Sequence, residues 1–120
     1  MFRRTAQFTF AIGVLAVITL SLIPKEALPE TGIWDKLHHV LAYGGLAASG
    51  GLGFVGWRRM VAVGIGLVML GGFLEVAQAA IPGRFASADD AFANAIGVMI
   101  GLVTALAGNL LLIHNERSSS

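Results

Sequence analysis

Hydrophobic residues run in four long blocks along the chain, and polar residues collect between them. The first block extends from about Ala6 to Ile23 and carries no charge. The second, from about Trp34 to Gly56, confines its ionisable residues to its start. The third, from about Met60 to Ile81, holds one charge, Glu75, and the fourth, from about Ala91 to Ile113, holds none. Each is close to the ~20 residues that a helix needs to cross a bilayer core. None alternates polar and apolar positions as a transmembrane strand would. Backbone groups in lipid must be satisfied within the segment, so the blocks predict helices over about 6–23, 34–56, 60–81 and 88–113.

The connections support these divisions. Residues 24–32 form a polar loop punctuated by Pro24 and Pro29. Gly56-Trp57-Arg58-Arg59 reads as a tight turn, and Ile81-Pro82-Gly83-Arg84 as the stop of the third helix. Ser87 suits an N-cap for the fourth helix, and Asp90, three residues on, completes a box-like pattern. The first block follows Arg3 and Arg4 like a signal peptide, but Pro24-Lys25-Glu26 replaces an A-x-A-like cleavage site, so a retained helix is expected. LPETG at 28–32 spells a sortase motif, yet three apolar blocks follow it, and proline and glycine in a loop explain it better.

Composition places the chain in a class. Of 120 residues, 56% are hydrophobic and 12% charged, with a mean hydropathy of +0.78. The expectation is one domain over residues 1–120, an all-α membrane protein built as a four-transmembrane-helix bundle. The absence of cysteine excludes disulfides and thiolate metal sites, and a net charge of +1 gives no support for nucleic-acid binding. Charge distribution says more than its sum. With both termini inside, Arg3, Arg4, Arg58, Arg59 and Arg117 face the cytoplasm and Lys25, Lys36 and Arg84 the outside. Glu26, Glu30, Asp35, Glu75, Asp89 and Asp90 then fall in the outer half, with only Glu116 inside, and Trp34 and Trp57 lie at opposite interfaces. The expected location is a cytoplasmic membrane, spanned N-in/C-in.

The polar residues within the blocks share faces and depth. Asp35, His39 and Tyr43 are spaced i, i+4, i+8 on one face of the second helix. Gly64, Gly71, Glu75 and Gln78 share a face of the third. Asp90, Asn94, Gly97, Gly101, Ala105 and Gly108 fall within an arc of about 80° on the fourth. His39 and Asn94 each sit about 6 Å below the first residue of their rows, and Glu75 about 9 Å below Ile81. One polar cluster in the outer half, capped by Arg84, is therefore expected. A charged group at mid-membrane costs ~2.5–3.5 kcal/mol and tends to face the bundle interior. Glu75 must pair with Lys36, Arg84 or a protonated His39, or be held neutral.

Plainer roles stand beside these. Asp89 and Asp90 can serve only to cap the fourth helix, and His38, His39 and Lys36 can sit at the interface with no task. Tyr43 can be core packing, Arg84 a lipid-headgroup anchor, and Glu75 with Gln78 an interhelical hydrogen bond.

Taken together, Asp35-Lys36-x-x-His39-x-x-x-Tyr43, Glu75-x-x-Gln78, Pro82-Gly83-Arg84 and Asp90-x-x-x-Asn94-x-x-Gly97 resemble the VanZ-like family of small bacterial membrane proteins. The resemblance covers the chain from Asp35 to Gly101, with His38 and Asp89 as doublings of the pattern. It implies a role at the outer face of the bacterial cytoplasmic membrane and a link to low-level resistance to the glycopeptide teicoplanin. Two uses of the cluster are expected. It can bind a membrane lipid, a polyprenyl-linked cell-wall precursor or a glycopeptide through Asp35, Lys36, Tyr43, Gln78, Arg84 and Asn94, with the fourth helix's N-terminus helping. Alternatively, it can act on a lipid-linked phosphate or ester with His39, Glu75 and Asp90 as acid–base groups. No cofactor is specified; a metal, if one is used, would fall to Asp35, His39, Glu75 and Asp90. Transport ranks last, because four helices would have to oligomerise.

Overall fold

A computed structural model describes residues 1–29 and 35–119. Among these residues there are four α-helices and no strand: α1 (Phe2–Leu22), α2 (Asp35–Gly53), α3 (Trp57–Gln78) and α4 (Ala88–Ser118). A single 3-10 turn, Lys25–Ala27, interrupts the first loop. Glu30, Trp34 and the second half of the LPETG stretch lie outside the described residues.

Three helices, α1, α3 and α4, are long and apolar enough to cross a membrane, as in a multi-pass membrane protein. Phe8, Ile12 and Leu15 of α1, Phe73 and Val76 of α3, and Phe92, Met99 and Val103 of α4 are all exposed. In water that apolar area would be untenable for a monomer; against hydrocarbon it is the expected surface. The shorter α2 has Asp35 and Lys36 in its first turn and packs chiefly on α4. Tyr43, Leu46 and Ala47 of α2 form the core with Leu67 of α3 and Val98 of α4. By contrast α1 is peripheral, with Ala6 as its only buried residue.

Small residues bring α2 and α4 together. A methyl group built on Gly97 would lie 2.5 Å from the Val40 carbonyl oxygen and 3.1 Å from the Gly44 nitrogen. One turn on, a methyl group on Gly101 would collide with the Gly44 carbonyl, and Ala105 packs where a side chain on Gly51 would go. This is small-xxx-small packing, in which backbones approach directly because lipid supplies no hydrophobic drive between helices. The small-residue face expected on the fourth helix is thus the α2 contact.

The helices alternate in direction, and their ends are closed by side chains from neighbouring elements. The last four carbonyls of α2 lack partners within the helix. Gly50 O accepts from Phe54 N at 2.8 Å. Gly51 O accepts from Asn109 Nδ2, Leu52 O from Arg3 Nη1 and Gly53 O from Gln7 Nε2, each at 3.0 Å. Arg3 also donates to Asn109 Oδ1 at 3.3 Å, so α1 and α4 jointly finish α2. A cation there also complements the negative end of the helix dipole.

Helix boundaries depart from expectation at several points. Arg3 and Arg4 lie inside α1, which starts a turn earlier than the apolar block. Residues 57–59, read as a turn, are the first turn of α3; the connection is made by Gly56, whose φ of 108° suits glycine. At its other end α3 stops at Gln78. Pro82 disfavours helical backbone at Ile81, and the chain passes through single turns, with Ala79, Ala80 and Ile81 donating three residues back. The 31 residues of α4 span about 46 Å, longer than the ~30 Å hydrocarbon core, and its last turns, around Glu116 and Arg117, are polar and exposed.

Gly97→Val should destabilise the chain by about 1–3 kcal/mol, because backbone on both sides leaves no room for the added carbons. Gly72→Ala should be neutral or gain up to ~1 kcal/mol, since nothing lies within 4 Å of the new methyl group. Thermal unfolding of both variants in detergent tests the pair; equal melting temperatures would contradict the contact.

Candidate functional site

Three helices deliver the polar side chains to one end of the bundle. The α2–α4 approach sets His39 of α2 beside Asn94 of α4, with Nδ1 and Oδ1 2.8 Å apart. This hydrogen bond forms in the tautomer that carries its proton on Nδ1, which then donates to the Asn94 oxygen. In the neutral ring this leaves Nε2 as a lone pair, and Nε2 lies 3.7 Å from Asp90 Oδ2. From α3, Glu75 places Oε1 4.0 Å from His39 Nδ1. Gly71, one turn before Glu75, makes room for this: a methyl group there would meet Asn94 at 2.9 Å and the Tyr43 ring at 3.2 Å.

Glu75 has a second task. Its Oε2 accepts the backbone N–H of Ser87 at 3.1 Å, while Ser87 Oγ accepts from Asp90 N at 3.2 Å. In a complete capping box the acid at the third helical position would return to the N-cap N–H. Here Glu75 of α3 holds that N–H. The expected box is therefore half formed, and the Asp90 carboxylate is released from capping. Its Oδ1 lies 3.4 Å from Lys36 Nζ, and its Oδ2 faces His39. Lys36 is also 3.4 Å from Asp89, whose side chain is 80% exposed. Asp90 is thus the inward member of its pair, and His39 the histidine that reaches the cluster.

Glu75 and Asn94 are buried, at 5% and 2% exposure, with Gln78 buried on the same face of α3. Tyr43 is buried beneath them and belongs to the core, so it supports the site from below. Among the described residues, His39, Glu75 and Asp90 can each turn one ligand atom into a group spanning no more than 4.8 Å.

Two expected members find their partners elsewhere. Asp35 is exposed and pairs with Lys25 of the loop at 3.3 Å. It occupies the first turn of α2, beyond the packed part of the helix, so sharing a face with His39 does not bring it inward. Arg84 remains within electrostatic reach of Glu75, but its hydrogen bonds go to α1 and not to the cluster. Its Nε donates to Ile23 O at 2.8 Å and its Nη2 to Leu20 O at 3.0 Å, closing the free carbonyls at the end of α1. The start of α4 is likewise less open to an anion than expected, since Glu75 and Ser87 already occupy two of its N–H groups.

Asn109, buried at the opposite end, escaped the sequence reading, as did the capping by Arg3 and Gln7. Asn109 lies one turn beyond Ala105 and next to Gly108 on the small-residue face of α4, so the same spacing, carried one residue past the end of that row, would have found it. Comparison with protein-family models, curated proteins and solved structures finds no match for the chain. The VanZ-like resemblance therefore rests on the residues quoted above.

Replacing Glu75 should separate its two tasks. Glu75→Gln keeps an oxygen for Ser87 N and should melt close to the parent. Glu75→Leu leaves that N–H without its acceptor and should lose about 1–3 kcal/mol. Melting of both in detergent decides it, and equal stability of Leu and Gln would show that the Ser87 bond contributes nothing.

Proposed function

We propose that this chain is a VanZ-like protein of the bacterial cytoplasmic membrane, with α2 as a fourth span and both termini in the cytoplasm. Its cluster opens to the outer face and engages the head group of an envelope lipid or lipid-linked cell-wall precursor, contributing to teicoplanin resistance. The observation that carries this reading is the convergence of His39, Glu75, Asp90 and Asn94 from three helices of a bundle whose outward surface is largely apolar. Buried ionisable groups in a membrane bundle are costly and mark sites of function. Lys36, at the mouth, is the cation for a phosphate or carboxylate, while the acids and Asn94 suit hydroxyl and amide groups of a sugar or peptide.

A second reading is favoured by the imidazole itself. Its Nδ1 is anchored on Asn94 and its Nε2 is directed toward Asp90, the arrangement of an oriented general acid–base. In that role His39 would assist attack on a lipid-linked phosphate or ester, with Asp90 and Glu75 stabilising its protonated form.

Two experiments test the proposal. The chain has no cysteine, so single cysteines can be placed cleanly. Those at Ala27 and Ala86 should react with an impermeant maleimide from outside, and one at Ser118 should not; the reverse pattern would invert the topology. Expressed in a susceptible host, the parent chain should raise the inhibitory concentration of teicoplanin. His39→Gln and Glu75→Gln should lose that effect at unchanged membrane levels and melting temperature. Full resistance in both variants would remove the cluster from the function.

A further inference from the structure

We infer that His39, Glu75 and Asp90 form a binding site for one divalent transition-metal ion, Zn²⁺ or Mn²⁺, with Asn94 as the residue that orients the histidine. The inference deepens the head-group reading and rests on it only for the ion's use, since the ion itself can be measured without any lipid.

The donor set comes first. One ligand atom from each residue can be chosen so that all lie within 4.8 Å of one another. Ligands bound at about 2.0–2.2 Å around a single ion are a little over 3 Å apart, so modest side-chain rotation closes the gap. One imidazole nitrogen with two carboxylate oxygens suits Zn²⁺ or Mn²⁺ better than an all-oxygen cage for calcium or magnesium. The three residues come from three different helices, and an ion there would tie α2, α3 and α4 together.

The histidine is set up for the task. A metal-binding imidazole usually donates its other ring N–H to a fixed acceptor, which settles the tautomer. His39 makes this bond, Nδ1 to Asn94 Oδ1 at 2.8 Å, with Asn94 itself buried. Nε2 is left as the ligand atom. Without a positive charge between them, the Nε2 lone pair and Asp90 Oδ2 would face each other at 3.7 Å as two acceptors.

Charge balance points the same way. Lys36 engages only Oδ1 of Asp90, together with Asp89. Glu75 gives Oε2 to Ser87 N and turns Oε1 toward the histidine. One oxygen of each carboxylate is thus free of the lysine and of the capping bond: Asp90 Oδ2 lies 3.7 Å from Nε2, while Glu75 Oε1, 4.0 Å from Nδ1, must rotate toward the Nε2 edge of the ring to join it. Side-chain exposure of 23% at both His39 and Asp90, against 6% at Glu75, leaves a path for a hydrated ion from the outer end. A bound cation would also explain how so acidic a cluster accepts a phosphate.

The test uses the full chain in nanodiscs. Mn²⁺ is titrated with loss of the free-ion EPR signal as readout, and Zn²⁺ by calorimetry. The expected result is saturation at one ion per chain. His39→Gln, Glu75→Gln and Asp90→Asn should each abolish that binding. Asn94→Leu should weaken it about 10–100-fold through loss of the orienting bond. Asp35→Asn and His38→Gln should leave it unchanged. Melting curves check folding; Asp90→Asn keeps the backbone cap on Ser87 and provides a folded variant even if another fails. Absence of saturable binding, or binding that survives Asp90→Asn and His39→Gln, would overturn the site. Polyprenyl-phosphate binding with and without EDTA separates this inference from the head-group reading. Lipid binding unaffected by EDTA would overturn the ion's role and leave the reading standing. Ion binding with no lipid binding in either condition would overturn the reading and leave the metal site.

Discussion

The approach of α4 to α2 at Gly97 and Gly101 is the constraint on which the rest depends. Nothing larger than hydrogen fits between these backbones, so the two helices hold a fixed register along most of α2. That register puts His39 against Asn94 and directs its other nitrogen toward Asp90. It also carries Asn109 to the last turn of α2 at the opposite end. In lipid, close packing and interhelical hydrogen bonds must supply what hydrophobic burial supplies in water. The chain uses packing along the middle of the α2–α4 contact and hydrogen bonds at its two ends.

A second constraint concerns helix ends. Carbonyls and N–H groups left over at a helix terminus within apolar surroundings must find partners. The chain meets this with side chains from distant parts of the sequence. Arg3, Gln7 and Asn109 finish α2, Arg84 finishes α1, and Glu75 holds the first N–H of the α4 cap. The last of these joins structure to chemistry. Because Glu75 takes the Ser87 N–H, Asp90 need not, and its carboxylate is released toward His39. A residue with an entirely plausible capping role is thereby made available for another.

Much of this was legible from hydrophobic period and spacing. The four helices, the small-residue face of α4 and the meeting of His39, Glu75, Asp90 and Asn94 all follow from which residues share a face and at what depth. The partners of Asp35 and Arg84 were not legible for one reason. Their positions were inferred from direction along a helix or proximity in a loop, while their actual partners, Lys25 and the end of α1, are set by how loops fold back. Hydrophobicity also set the helix limits wrongly where polar residues stay helical, as at Arg3, Arg58 and Glu116. Capping across the bundle leaves almost no trace in sequence, because donor and acceptor can be as many as 64 positions apart.

The central claim is that the His39 imidazole is held in one tautomer by a buried partner on a neighbouring helix. Nitrogen NMR of the ¹⁵N-histidine-labelled chain in lipid tests it most directly, with the His39 signals assigned by loss in His39→Gln. The account predicts Nδ1 protonated and slow to exchange with water, Nε2 unprotonated, and loss of this asymmetry in Asn94→Leu. A His39 ring that exchanges rapidly between tautomers, or is unaffected by Asn94→Leu, would contradict it.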